Sequence, residues 1–375
     1  MKVDKCLFLI AVMFFASCKE GLKSDASMLK VSESNQRIEI NIDVKTDILG
    51  INELIDSVSF IPLETSNECL IGEIDKIIYH ESKYYILDCH SAKTLFCFDS
   101  SGHFLRKIGK VGNGPGEFVE PTDFLLTSSH IVVLDQFAHR LLFYTYDGEF
   151  VSSTQFQGKA HGIASLGNDS LFLVRAGDNR GTDFHNYPIL VMDINGYVKM
   201  KGLENPYTMN YSASGSPIQR MNGRTLYMKP MADVIYEVTT EQIVERYFLN
   251  IKDSPLPSNY EKLCNGDFEN FMRHYRGKYN YFSGQFFETK NHVFLMVLNK
   301  DNHKISTIYN KQTGRTTSGM LGVDGVELDF PIYALFALSS PLIEVGNRVV
   351  GYIEAHFVPN KTDENPFLVS FRFKE

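Results

Sequence analysis

Through most of its length the chain alternates apolar and polar positions at every second residue, in short runs closed by turn-forming residues. That period belongs to strands; a helix would repeat every three or four positions. The runs also recur as a phrase. Phe98-Asp99-Ser100-Ser101-Gly102-His103-Phe104, Tyr146-Asp147-Gly148-Glu149-Phe150 and Met192-Asp193-Ile194-Asn195-Gly196-Tyr197 each set an Asp and a Gly in a tight turn between an apolar strand and an aromatic-led one. Their glycines lie 46 and then 48 residues apart. A repeat of that length built from strands and turns is the signature of propeller blades.

On that rhythm, blades of four strands cover residues 72–109, 122–157, 162–203, 217–251 and 281–321. The remaining chain supplies only three strands, Tyr333–Ser339, Arg348–His356 and Pro366–Lys374, and one strand, Ser57–Glu64, is left unattached near the start. Joining it to those three completes a sixth blade and closes the ring, which removes the unpaired backbone edges an open ring would leave. The predicted fold is therefore all-β, a six-bladed β-propeller with its N-terminal strand closing the last blade. Residues 253–276 break the alternation. Ser258 and Asp267 are candidate helix caps there, and Phe268, Phe271, Met272 and Tyr275 form one apolar stripe, so a short helical insertion packed on the rim is expected.

Composition sharpens this picture. The chain holds 28 Phe and 19 Tyr, which suit wedge-shaped sheets packed face to face. It holds no Trp, which argues against a WD-repeat propeller. The net charge of −8 comes without a basic tract, so nucleic acid is not an expected partner.

The start of the chain reads as an address. Lys2 and Lys5 precede a short apolar run, Leu7 to Phe15, closed by Ala16-Ser17-Cys18, the layout of an exported protein's signal. Residues 1–17 are expected to be removed and Cys18 to be lipidated, with 18–36 as a flexible polar tether and 37–375 as the propeller. Of the other cysteines, Cys89 and Cys97 fall on the two arms of one hairpin but not directly opposite each other, which leaves a bridge between them open.

Several segments taken together resemble a known family. Ser57–Glu64 (SVSFIPLE), the strand end Leu87-Asp88, and Ile108-Gly109-Lys110-Val111-Gly112-Asn113-Gly114-Pro115-Gly116-Glu117-Phe118 are similar to the six-bladed β-propeller lipoproteins of Bacteroidetes, themselves similar to NHL-repeat propellers. The resemblance implies the same fold and a lipid-anchored place in the cell envelope, at the outer membrane on its periplasmic or surface face. It carries no catalytic residues across.

The candidate chemistry is sparse. Gly109, Gly112, Gly114 and Gly116 invite a phosphate-loop reading, but that loop needs Gly-Lys-Ser/Thr entering a helix, and here Glu117, Glu120 and Pro121 follow. A tight crossover between blades fits better. Asp88 and Asp135 end equivalent strands and are expected to cap the following turns. Histidine is the less expected pattern. The loops joining second to third strands share a face with the blade-to-blade crossovers, and they carry or border His90, His139, His185, His303 and His356, with His161 in a crossover. Arg140, Asp178, Arg180, Asp301 and Glu354 lie near them. Such groups could bind a ligand or act as acid and base on it. No paired Cys/His spacing, HExxH or Ser/His/Asp order appears, so neither a metal nor a cofactor is expected. The leading expectation is a monomeric, lipid-anchored binding module for a protein, peptide or glycan. The alternative is an envelope lyase or hydrolase acting on carbohydrate or peptide-derived substrates at the channel mouth.

Overall fold

The computed structural model describes residues 26–33, 36–50, 54–167, 171–176, 179, 181–207, 217–322, 341–358 and 364–374. The expected signal, Cys18, Asp178, Arg180 and the expected strand Tyr333–Ser339 lie outside these residues. What is described is a six-bladed β-propeller. Blade 1 orders Lys76–His80, Lys83–Asp88, Thr94–Asp99 and Phe104–Ile108 from axis to rim. Blade 2 repeats this with Pro121–Leu126, Ile131–Asp135, Arg140–Tyr144 and Phe150–Gln155. Blade 3 uses Ala160–Ser165, Leu171–Ala176, Ile189–Asp193 and Val198–Gly202, and blade 4 Ile218–Met221, Arg224–Met228, Val234–Val238 and Gln242–Ile251. Blade 5 is Tyr281–Glu288, His292–Leu298, Lys304–Asn310 and Thr316–Gly322.

Middle strands are buried on both faces because each blade is sandwiched between two others. Ile131–Asp135 is buried at every position, and His292–Leu298 at all but its last. That explains why IVVLD and VFLMV are continuous apolar runs, whereas the outer strand Phe150–Gln155 is exposed along nearly all of its length. The hydrophobic clusters are the seams between blades: Tyr85, Leu87, Phe118, Phe124 and Val133 fill the seam of blades 1 and 2, and Leu134, Leu141, Phe172 and Met192 that of blades 2 and 3.

Blade 6 joins the two ends. Ile343–Val345, Arg348–Ile353 and Phe367–Phe373 are followed outward by Ile55–Pro62, which pairs antiparallel with Phe367–Phe373. The inner strand is thus Ile343–Val345, later in the chain than the sequence reading placed it. Closure is reinforced by side chains: Arg372 donates to Asp56 at 3.2 Å and to Ser57 Oγ at 2.6 Å.

The segment expected as a free tether is not free where it is described. Ser27–Met28 adds a parallel fifth strand outside blade 3, Lys30–Ser32 and Ile38–Ile42 do so along the long outer strand of blade 4, and Ile48–Gly50 does so on blade 5. The N-terminal chain therefore runs as a belt around blades 3, 4 and 5 before it closes blade 6. Ile40 and Ile42, with Leu29, are buried under it. Polarity misled the sequence reading: Ser27, Lys30 and Ser32 need only offer backbone to an open edge, and their side chains stay outside.

The recurrent Asp-Gly phrase does more than turn the chain. Asp99 and Asp193 each accept two N–H groups of their own turns through one oxygen. The glycines, at φ of +89°, +89° and +81°, press each turn against the outer strand of the preceding blade. A Cβ at Gly102 would stand 2.2 Å from the Pro62 carbonyl oxygen, and one at Gly196 would stand 2.2 Å from that of Gln155; at Gly148 the nearest atom, the Lys107 oxygen, is 3.3 Å away.

The insertion consists of α1 (Tyr260–Leu263) and α2 (Phe268–His274), the latter capped by the Asp267 carboxylate. Phe271 is fully buried against Tyr260, Cys264 and Tyr281. Glu261 ties the insertion to the ring, accepting from Lys229 Nζ and from Asn205 Nδ2 at 2.5 Å each. Cys69, Cys89, Cys97 and Cys264 are buried free thiols. Cys89 and Cys97 are not bridged: Cys89 Sγ lies 3.5 Å from the Thr122 carbonyl, and Cys97 pairs across the sheet with Tyr85. Among the described residues no helix is long and apolar enough to cross a membrane.

Two outcomes follow from the closure and the turns. Deleting Ile55–Pro62 should abolish the cooperative unfolding transition in urea. Gly148→Ala should cost about 1–2 kcal/mol for its left-handed backbone, and Gly102→Ala and Gly196→Ala about 3 kcal/mol or more because a backbone oxygen must also move. Equal losses at the three positions would refute the blade-contact account.

Candidate functional site

In each blade the inner strand starts, and the second strand ends, on one face of the ring, here termed upper; crossovers and second-to-third loops gather there. Much of its conspicuous polarity is committed to holding the ring. Asp88 accepts from the crossover N–H groups of Gly72 (2.8 Å) and Glu73 (3.2 Å) and from the turn N–H of Ser91 (2.8 Å). Asp135 repeats this with Val119, Glu120 and Ala138. These acids cap their turns as expected, and they also clip the crossover to the blade. Amides take that place elsewhere: Asn179 accepts from Lys159 N at 2.7 Å, and Asn365 from Ile71 N at 2.8 Å.

The glycine-rich crossover cradles an anion of its own. Gly114 N–H donates to the Glu117 carboxylate at 2.8 Å, Lys110 pairs with it at 3.0 Å, and a Cβ at Gly112 would fall 2.1 Å from it. The Gly114 N–H, followed by Lys110, holds the Glu117 carboxyl below its ordinary range. The loop's anion site is filled by its own side chain.

The candidate residues separate into three groups. Arg140 is a brace, bonded to Asp135 and, at 2.7 Å, to the Glu117 carbonyl. His139 is another, its Nδ1 3.0 Å from the Gly158 carbonyl and its ring against Phe156. His185, Asp301, His303 and His356 are exposed on three different blades, Asp301 and His303 sharing one loop of blade 5, and the His356 ring is tilted against Phe357. Of the described candidates, His90 and His161 line the axis, whereas Glu354 is half-buried near His356. Among the described residues no three His, Cys, Asp or Glu side chains are grouped to hold a metal.

At the axis lies a cavity of about 870 Å³ lined by the inner strands of all six blades. Its wall is knitted by buried Asp123, which accepts from Lys76 Nζ of blade 1 at 2.6 Å and from Ile163 N of blade 3 at 2.8 Å. His161 Nδ1 lies 2.9 Å from Gln136 Oε1. Gln219, Gln285, Tyr79 and Phe286 add amides and aromatic surface. At the lower end, Arg220 donates to the Ser165 carbonyl at 3.2 Å and lies 3.4 Å from Thr225 Oγ1.

The upper mouth is acidic where blade 6 meets blade 1. Asp75 accepts from Cys89 N at 2.6 Å and stands 3.7 Å from His90 Nε2. Burial raises the Asp75 carboxyl above its ordinary range against those two favourable contacts. Burial likewise raises Glu354, opposed by His356 and aided by the nearby charges of Glu73 and Asp88. The Tyr352 hydroxyl is pushed up by burial, then by Glu354, Glu73 and Asp75. Glu73, Asp75, Tyr352 and Arg220 were not among the sequence candidates. Their signal was positional: each lies on, beside or just before a strand next to the axis.

A family model described as a domain of unknown function, DUF4934, matches residues 36–369. The chain belongs to the DUF4934 family. No curated protein matches it. A Bacteroides fragilis protein described as exported superposes with a TM-score of 0.74 at 20% identity, covering 90% of this chain and 100% of that one. A Bacteroides vulgatus member of the DUF4221 family gives 0.55 at 13% identity, covering 86% and 98%. At these identities the likeness shows that the DUF4934 propeller shares its fold with both.

The raised Glu354 carboxyl of this DUF4934 propeller yields a signed expectation. An acid that keeps its proton longer in the folded state makes stability fall as pH rises through the range above the ordinary carboxylate pKa. Glu354→Gln removes that penalty. It should raise the melting temperature at pH 7, and the gain should vanish as the pH drops below the carboxylate range; a lowered melting temperature at neutral pH would contradict it.

Proposed function

We propose that this protein is an exported propeller, held at the cell envelope through acylated Cys18, that binds a ligand in its axial cavity without transforming it. The observation that carries the reading is the cavity of about 870 Å³, walled by six blades and furnished with amides, aromatic rings and a few charges. That volume falls in the range of small-molecule and short-oligomer sites. The rigid wall supports selection: Asp123 fixes three inner strands, so a ligand meets groups already in place. Export is supported by the charged start, short apolar run and small residues before Cys18, and by the fold shared with the B. fragilis protein described as exported.

The histidines favour binding over turnover. His139 is bound to backbone, and His185, His303 and His356 face solvent on different blades. The two near the axis, His90 and His161, lie on blades 1 and 3, where His90 stands beside Asp75 and His161 beside Gln136.

The test is a metabolite, glycan and peptide screen on the chain from residue 26 onward, read by calorimetry. Gln285→Trp, which narrows the cavity, should weaken any hit at least about tenfold, whereas His185→Ala and His303→Ala on the rim should leave it unchanged. Turnover that disappears in His90→Ala or His161→Ala would replace binding with catalysis.

A further inference from the structure

The Asp-Gly turns lie on the lower face of the ring, because third strands start at the upper face and end at the lower. Around those turns, large apolar side chains stand in water on consecutive blades. They are Leu105 on blade 1, Phe150 and Val151 on blade 2, and Ile194 and Tyr197 on blade 3, each 37–56% exposed. The row continues beside blade 4 in Val31 of the belt, which pairs with Ile243 near the start of that blade's outer strand. The corresponding turn of blade 5, Gln312-Thr313-Gly314, is polar. Exposed apolar residues scattered singly are ordinary; several along one arc of a rim make a surface.

The chain enters the ring at the same arc. Ser27 pairs in parallel with Met200 and Met28 with Lys201, so the residues before Ser27 approach from the side of Tyr197. Cys18 lies eight residues before Ala26, a reach of at most about 29 Å. Lys199 stands 5.5 Å over the Tyr197 ring and 3.1 Å from Asp193. A tyrosine ring with an ammonium beside it suits the depth of lipid headgroups.

Resting on the reading of Cys18 as an acylated anchor, we propose that the lower rim of blades 1–3 lies against the membrane that holds the anchor. Leu105, Phe150, Val151, Ile194 and Tyr197 enter the boundary between headgroups and acyl chains. Acyl chains alone leave the ring free to swivel, and an apolar contact beside the point of attachment fixes its tilt. The upper mouth, with His90 and His161, then faces away from the bilayer and admits ligand from solvent. Val119 and Phe137 are exposed on the upper face too, but the chain enters on the opposite side.

The chain holds no Trp, so a single introduced indole reports alone. The full acylated chain is bound to vesicles of phosphatidylethanolamine and phosphatidylglycerol, with or without acyl chains brominated near the headgroup. Tyr197→Trp and Phe150→Trp should lose about half or more of their fluorescence to the bromine. Phe137→Trp on the upper face and Gln312→Trp on blade 5 should lose little. All four positions are exposed, so the indole need not disturb the ring. Adding Val151→Glu and Ile194→Glu should weaken the quenching of Tyr197→Trp while the chain still floats with the vesicles. Stronger quenching at Phe137→Trp than at the rim, equal quenching at all four sites, or quenching at none overturns the surface, and flotation then leaves the anchor standing. If the full chain does not float, the anchor and the surface fall together.

Discussion

A propeller depends on one constraint: its last sheet must find a strand from the other end of the chain. Here that strand is Ile55–Pro62, paired along Phe367–Phe373. The pairing closes the ring, and only a closed ring gives each blade two neighbours. Most middle strands, such as Ile131–Asp135 and His292–Leu298, are then buried on both faces, which is why those central segments are continuous apolar runs. The axial cavity has the same origin, since six inner strands held at fixed spacing leave a space that no side chain spans. Asp123 shows how tightly that spacing is set, one carboxylate meeting three blades at once.

The fold was legible because it repeats. Three copies of one turn were enough to set the period, and the strand count then required a closing partner. The belt was not legible, for a physical reason. A strand added to a sheet's outer edge needs backbone and little else, so Ser27–Ser32 carries no apolar alternation to announce it. The site was only partly legible. Histidine in exposed loops is easy to notice, and most of those histidines are braces or rim residues. Glu73, Asp75 and Arg220 lack any motif, and what matters about them is position beside the axis, which only the assembled ring defines.

Most of the conspicuous acids and glycines prove to be fasteners. Asp88, Asp135, Asn179 and Asn365 clip crossovers to blades, and Glu117 fills its own glycine loop. The groups left for a ligand are those that the scaffold has not already satisfied. Asp75, which lines the cavity, is half-buried and stays raised by burial even with the Cys89 N–H and His90 beside it, a local cost in stability of the kind that binding sites carry.

The belt and the closing strand also set the order of biosynthesis against the order of assembly. Residues 27–62 leave the ribosome well before their partners, the strands at 198–202, 242–251, 316–322 and 367–373. The belt strands must wait, unpaired, for blades 3, 4 and 5 in turn, and Ile55–Pro62 waits longest, for 367–373. A ring that cannot close before 367–373 has been made stays open during synthesis, and its unpaired strand edges must be kept from other chains until then.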